Sequence, residues 1–535
     1  MRFFFCPSQH FGKVFVRLIS QRKTFKLQSF NLQTLQLSIA KKLLGQTVLY
    51  GLSSIVGRAL NYLLVPLHTA VFATAAYGVI TELYAYVAFF NVLATYGLET
   101  AFFRYANRAG TNRLHLYRSS LTLLLITSTA ITLLLALFSG QIANLLDYPG
   151  KAHYIVWLAI IIGVDALMAL PFARLRLEDK AAKFATVRIA NILINAGLNL
   201  FFLWICPQAI SGDGWQWLRP LAEAVYNPEL GVGYVFLSNL IANLLFVQML
   251  WAQLKDFRWR FDASLAGQLL KYGYPLMIMG LAGMINEVLN RPMLKELLPE
   301  NFYPGKTSLD ALGIFGACAK LAIFMSLVIQ AFRYAAEPFF FSQAEDKNSP
   351  QTFALVMRWF VICCAFILLF ITANIDIFQY FLAGEDYREG LVVVPILLLA
   401  NLFLGVYYNL SVWFKLTDRT YYGTYISIGG AVITILLNIL LIPVIGYVGC
   451  AVAALACYSA MAIACYALGA KHYPIPYPVK AMAGYVVLAL FLGFAAWFVP
   501  IESQWLGYGF HNVLVLVFIA IVAFAEEPIR QRLKR

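Results

Sequence analysis

GLSSIVGRALNYLLVP at residues 51–66, followed by Tyr77-Gly78-Val79 and then Thr100-Ala101-Phe102-Phe103-Arg104-Tyr105, returns in outline further along the chain. The second copy runs Glu287-Val288-Leu289-Asn290 with Pro292, then Leu312-Gly313-Ile314, then Gln330-Ala331-Phe332-Arg333-Tyr334. Its first element answers Arg58-Ala59-Leu60-Asn61 with Pro66. The copies begin on the first and the seventh of the apolar stretches of bilayer-spanning length, an offset of six. An even number keeps both in one orientation, which predicts a parallel repeat of two six-helix bundles related about the membrane normal. The interface between two such bundles can open to either side by rocking, and transport is the usual result.

A helix rising about 1.5 Å per residue needs roughly 20 apolar residues to cross about 30 Å of hydrocarbon. Such runs lie near 43–65, 78–100, 119–139, 153–172, 187–206, 231–252, 270–291, 311–332, 352–374, 390–412, 422–443, 447–468, 481–499 and 511–525. With 61% hydrophobic and 12% charged residues, the composition is that of a polytopic membrane protein, and the loops are too short for a folded aqueous domain. The expected fold is all-α, with 14 transmembrane helices: two six-helix bundles around a central cavity and two extra C-terminal helices. The expected division is 1–42, a basic N-terminal extension; 43–252, helices one to six; 253–470, helices seven to twelve; and 471–535, the last two helices with a basic tail.

Charge orients the chain. With the N-terminus inside, the inner segments hold Arg104, Arg108, Arg113 and Arg118; Arg174, Arg176, Lys180, Lys183 and Arg188; Lys255, Arg258, Arg260 and Lys271; and Arg530, Arg532, Lys534 and Arg535. The outer loops hold only Lys151, Arg219, Lys295, Lys306 and Arg388, the asymmetry of the positive-inside rule, so both termini are expected in the cytoplasm. The net charge of +14 then needs no nucleic acid, and membrane lipids, anionic ones above all, are the natural partners of the inner face. Residues 1–42 carry Arg2, Lys13, Arg17, Arg22, Lys23, Lys26, Lys41 and Lys42 and no acid. They lack the apolar core and cleavage site of a signal peptide and read as a basic cytoplasmic arm, with an organelle transit sequence as the other reading. The eight cysteines form no CxxC or Cys/His ligand pattern and read as small packing residues, so no metal centre or other cofactor is expected.

A charge at the bilayer centre costs at least about 2.5–3.5 kcal/mol, so each one within a span should face protein or a wet cavity. The candidates are Arg58, Glu82, Glu99, Asp165, Glu287, Arg291 and Lys320. Arg58 and Glu287 hold matching places in the two copies, which puts opposite charges where the bundles face each other; an ion pair locking the bundles is the bland alternative. Glu287 and Arg291 at i, i+4 are also placed to pair within one helix. Glu82 and Glu99 lie toward opposite ends of one helix, where headgroup water or, for Glu99, Arg104 competes with a functional role. Asn191, Asn195 and Asn199 draw one stripe, Asn239 and Asn243 another, Asn286 and Asn290 a third. Each asparagine is by itself as well read as glue between helices. Together the stripes read as a hydrophilic lining, and asparagine, tyrosine and tryptophan suit the hydroxyls and ring faces of a neutral sugar.

The run from Gly51 to Leu67, Tyr77-Gly78 and Tyr96-Gly97-Leu98-Glu99-Thr100-Ala101-Phe102-Phe103-Arg104-Tyr105, with Gly313 to Lys320 and Gln330 to Phe339, resembles the bacterial polysaccharide biosynthesis proteins, the Wzx-type oligosaccharide-lipid flippases. The likeness covers about residues 43–470. It implies the multidrug/oligosaccharidyl-lipid/polysaccharide exporter superfamily, two lobes in a V around a central cavity, a bacterial inner-membrane location and an undecaprenyl-diphosphate-linked oligosaccharide as cargo. Arg58 stands where lipid II flippases also carry an arginine, but Asn91, Leu93, Ala94 and Thr95 occupy a segment where that branch carries more, so a surface-glycan lipid is favoured over a muramyl-peptide lipid. On this basis Arg58, Asn61, Asn195, Asn286, Asn290 and Lys320 are the expected substrate-binding residues. Glu99, Asp165, Glu287 and Arg291 are the expected residues of ion coupling or gating, with H⁺ or Na⁺ as the coupling ion. A glycan polymerase and glycosyltransferases are the expected protein partners.

Two other functions compete. A cation-coupled multidrug exporter of the same architecture would want acidic and aromatic groups for cationic cargo, and the helix 1 arginine argues against it. A membrane glycan polymerase or ligase would need catalytic groups on a sizeable external segment. The longest outer loop, 207–230, has Asp213, Glu223 and Glu229 but no DxD motif, and the chain shows no hydrolase triad, Walker loop or dinucleotide fingerprint.

Overall fold

The computed structural model describes residues 60, 62–108, 110–343, 349–499, 501 and 503–534, and among them the regular structure is helical, with no strand. In the first half run α1 (Leu64–Val71), α2 (Thr74–Thr95), α3 (Leu98–Ala106), α4 (Arg113–Leu137), α5 (Ala152–Leu177), α6 (Ala181–Leu200) and α7 (Gly233–Met249). The second half holds α8 (Ala263–Val288), α9 (Asn290–Leu297), α10 (Ser308–Leu321), α11 (Ile323–Gln343), α12 (Ser349–Ala373), α13 (Val393–Leu410), α14 (Tyr421–Ile445) and α15 (Tyr447–His472), followed by α16 (Val479–Phe498) and α17 (Gln504–Lys534). In hydrocarbon every backbone amide must find its partner within its own segment, which leaves apolar runs like these the helix as their form.

Ten of the described helices are long and apolar enough to cross a membrane, and α10 with α11, bent by 46° at their junction, makes an eleventh. The chain is a multi-pass membrane protein. By this measure the expected fourteen spans are not reached. The first, 43–65, lies almost wholly outside the described residues, and α7 has only 17 residues. The 26-residue α8 is not among the ten apolar helices; Gln268, Lys271, Asn286 and Glu287 dilute its hydropathy.

In the first half α4 lies along α5, α5 along α7 and α7 along α6; in the second, α13 packs on α15, α15 on α14 and α14 on α8. The most extensive contact between halves is α2 on α10, with α8 also running along α2. Glycines make that approach possible. A Cβ on Gly78 would stand 2.1 Å from the Leu309 carbonyl oxygen, and one on Gly313 would stand 1.9 Å from that of Thr74. Residue 78 meets the residue four before 313, and 313 meets the residue four before 78. That reciprocity is the signature of a two-fold contact, here between the two Gly copies of the sequence repeat. Thr307 and Asp310 form a capping box that starts α10 at this end, and Thr74 Oγ1 donates to Asp310 across the seam.

At the other end of α2 the chain breaks at Tyr96 and Gly97, both left-handed at φ 35° and 71°. A Cβ on Gly273 of α8 would lie 2.5 Å from the Tyr96 carbonyl oxygen. The halves therefore touch backbone to backbone at both ends of α2. Nearby, Asp262 accepts from Leu265 N–H at 3.0 Å and starts α8, while Arg174 Nη2 donates to Asp256 Oδ2 at 2.7 Å and holds that carboxyl below the usual carboxylate range.

The last two helices rest on α12. Glu526, fully buried, pairs with Arg358 of α12 and accepts the Tyr485 hydroxyl of α16. Trp497 Nε1 donates to the Thr372 carbonyl at 2.8 Å. Breaking a buried ion pair from one side leaves the other charge uncompensated, typically at about 3–5 kcal/mol. Glu526→Ala is accordingly expected to lower the thermal unfolding midpoint of the detergent-purified chain and to speed protease cleavage between α16 and α17; an unchanged midpoint would mean that the pair contributes nothing to docking.

Candidate functional site

Two breaks in the helices of the second half meet at one point. Pro292 has no N–H for the Val288 carbonyl, and α8 gives way to α9 at Leu289. Alongside, α10 ends at Leu321 and the chain bends into α11, which places Lys320 in the last turn of α10, where the helix dipole favours a cation. Around these breaks opens a cavity of about 130 Å³, room for several water molecules. Asn286, Glu287, Asn290, Arg291, Lys320 and Tyr458 supply much of its polar lining, with Ser326 and Asn401.

Five sequence-selected residues thus share one cavity. Their chemistry differs. Asn286 ties α8 to α14: its amide donates to the Ser427 carbonyl at 3.2 Å and accepts from Thr434 Oγ1 at 3.3 Å. Asn290 is buried, and its side-chain oxygen accepts no hydrogen bond from the described residues. Glu287 is exposed to the cavity, Arg291 and Lys320 are half-buried, and Lys320 is within electrostatic reach of both. The pairing of Glu287 with Arg291 that their spacing allows is not made: none of the three has an ion pair within 4.0 Å among the described residues.

Elsewhere the expected residues are tied into the protein. Arg58 and Asn61 lie outside the described residues. Asn195 accepts from Asn199 Nδ2 at 3.1 Å, and Asn199 in turn faces His68 at 3.0 Å. Asp165 accepts from Asn243 Nδ2 at 3.0 Å, and Asn243 from Asn191 at 3.2 Å. The stripes of the first half are therefore stitched together between helices. Glu99 pairs with Arg176 of α5, not with Arg104, whose guanidinium lies 4.3 Å over the Tyr272 ring. Glu82 is also not solvated at a helix end: it is fully buried and meets Lys295 across the halves. By sequence Arg188 belongs with the inner basic cluster; in the structure it is within electrostatic reach of Asp165 and of Tyr334 in the second half. Only the facing of α6 and α11 reveals it.

Residues 71–209 match the sequence model of a family described as polysaccharide biosynthesis protein. No curated protein matches the chain in sequence. Among solved structures, the chain is similar to lipid II flippase MurJ in an inward closed conformation, at a TM-score of 0.65 and 14% identity over 89% of this chain and 99% of that one. The two chains share one fold over nearly their whole lengths. A multidrug resistance MATE family transporter of the MOP superfamily is similar in its inward-facing conformation at a TM-score of 0.60 and 12% identity, over 82% of this chain and 96% of that one. In its outward-facing conformation such a transporter aligns at 0.53 and 13% identity, over 82% of this chain and 96% of that one. The structural likenesses establish architecture; the family model adds the polysaccharide connection for 71–209.

Proposed function

We propose that the chain is a flippase that carries a phosphorylated, lipid-linked saccharide across the membrane by exposing the cleft between its halves first to one side and then to the other. The observation that carries this reading is the charge of the cavity: two cations, Arg291 and Lys320, face one carboxylate, Glu287. An uncompensated cation held away from bulk water costs several kcal/mol. Such a cost is sustained where an anion arrives to offset it, and a diphosphate brings two negative charges that suit charge-assisted hydrogen bonds from both side chains. Asn290, with its open acceptor, is placed to meet a sugar hydroxyl.

The cargo class that fits is an undecaprenyl-diphosphate-linked oligosaccharide for a surface polysaccharide. Its polar head needs a wet path because hydrocarbon offers its hydroxyls no partners. On the charge-assigned topology the chain lies in a bacterial inner membrane with both termini in the cytoplasm, loads there and releases outside. Glycosyltransferases would build the cargo and a glycan polymerase would consume it. Asp165 and Glu287 are the carboxylates available for H⁺ or Na⁺ coupling, read as a change of flux when either gradient is imposed.

The deciding experiment follows a polyprenyl-diphosphate oligosaccharide, labelled on its head, in proteoliposomes containing the full chain, with an impermeant quencher reporting its arrival at the far face. Quencher-accessible label should appear at a rate proportional to protein content. Rates equal to those of protein-free vesicles would remove the reading, and uptake of cationic dyes in their place would favour a drug exporter.

A further inference from the structure

One turn beyond Arg291, α9 carries a second cation that the cavity does not use. Lys295 is 8% exposed, although sequence places it in a loop rich enough in water to solvate it. It crosses from the second half into a socket made wholly by the first. Its ammonium donates to the Leu146 carbonyl at 2.5 Å, stands 3.5 Å from Glu82 Oε1 and 3.7 Å from Asp147 Oδ2, and lies 4.8 Å over the Tyr148 ring. Tyr148 in turn donates its hydroxyl to Glu82. Asp147 adopts a left-handed φ of 59°, which turns the chain so that residues 146 to 148 all face the same point. Glu296, the remaining charge in reach, is 3.8 Å away and largely exposed.

We infer that Lys295 and its Glu82–Tyr148 socket form a releasable latch that holds the halves together at the Gly78–Gly313 end. Glu82 lies one turn from Gly78 on α2, so the latch sits beside the glycine seam. A buried ion pair suits this task better than an apolar seam. Its attraction is nearly cancelled by the desolvation of both charges, so it specifies one closed register while adding little net stability. When the seam parts, water resolvates both charges and the apolar exposure that would oppose opening is avoided. Position adds the link to transport: α9 is set off from α8 by the break at Leu289, has Arg291 on the cavity and, four residues on, Lys295 in the socket. An anion that draws Arg291 therefore moves the same short helix that holds the latch. On the charge-assigned topology this end is the outer one. The inference rests on alternate exposure of the cleft and not on the identity of the cargo.

The test places spin labels on Glu223→Cys in the first half and Glu300→Cys in the second, with Cys6 and Cys363 replaced, in the full chain reconstituted in nanodiscs. Both label sites are exposed, and Cys363 is the one exposed cysteine among the described residues. Pulsed electron resonance distances should be short in the parent. E82Q and K295M should each bring up a longer-distance population by several-fold. The double variant E82Q/K295M, which leaves neither charge unpaired, should fall back toward the parent, a coupling that independent structural damage would not show. Parent-like distributions in both single variants would overturn the latch. If the single variants do not assemble, Y148F decides on the same distances, with a parent-like result again overturning it. Loss of glycan flux without any distance change would count against the latch and leave the proposed cargo standing; a latch that opens in a chain with no glycan flux would do the reverse.

Discussion

Gly313→Leu is expected to give a chain whose halves cannot close at the α2–α10 crossing and whose transport is abolished. The first side-chain atom alone would stand 1.9 Å from the Thr74 carbonyl oxygen, a backbone atom that cannot rotate aside. Relief requires the two helices to separate, which takes with it the Thr74–Asp310 hydrogen bond and the burial of Tyr77, Leu312 and Ile314. Overpacking of a well-filled core costs about 1–3 kcal/mol and occasionally more, and a clash with backbone on both sides belongs at the upper end. The reciprocal Gly78→Leu should behave alike because the contact is two-fold. Gly283→Ala on α8, with no atom within 4 Å of its added Cβ, is the matched control and should be neutral. Thermal unfolding and flux measured on the three variants check this; a Gly313→Leu chain with parent-like midpoint and flux would refute the closeness of the crossing.

Neutralising the cavity should separate stability from activity. Lys320→Met with Arg291→Gln is expected to lower glycan flux by about 100-fold, taking roughly 1.5 kcal/mol for each lost hydrogen bond to a charged phosphate. The same pair should leave the unfolding midpoint unchanged or raise it, because two cations without an ion pair in the described residues are a cost to the resting fold. The opposite result, a destabilised chain with intact flux, would mark both residues as structural and remove the charge argument for an anionic cargo. Each single variant should fall between parent and double.

Helical class, membrane habit and an internal repeat were legible from the chain because hydropathy and spacing are local properties. Legibility failed where a side chain's partner came from another helix. Sequence predicts Glu82 at a solvated helix end and Lys295 in an outer loop; the structure buries both, Glu82 fully, in one contact between the halves. Glu99 has Arg176 of α5 for a partner, a pairing its own helix does not offer. Asn286 and Asn290 share a stripe in sequence, but α14 supplies partners to the first, while the second's oxygen accepts no hydrogen bond from the described residues.

The clearest case is Gly78 and Gly313. As letters they mark corresponding places in two copies of a pattern, and periodicity alone determined that correspondence, together with the apolar spans and the lopsided distribution of Lys and Arg. That the two glycines touch is a tertiary fact. Contact depends on how two helices more than two hundred residues apart cross, and crossing is set by the summed packing of every surface around them. The same holds for the cavity: spacing placed charges within helices, but only the packing of α8, α9 and α10 brought Glu287, Arg291 and Lys320 to line one space, with no ion pair to either cation among the described residues.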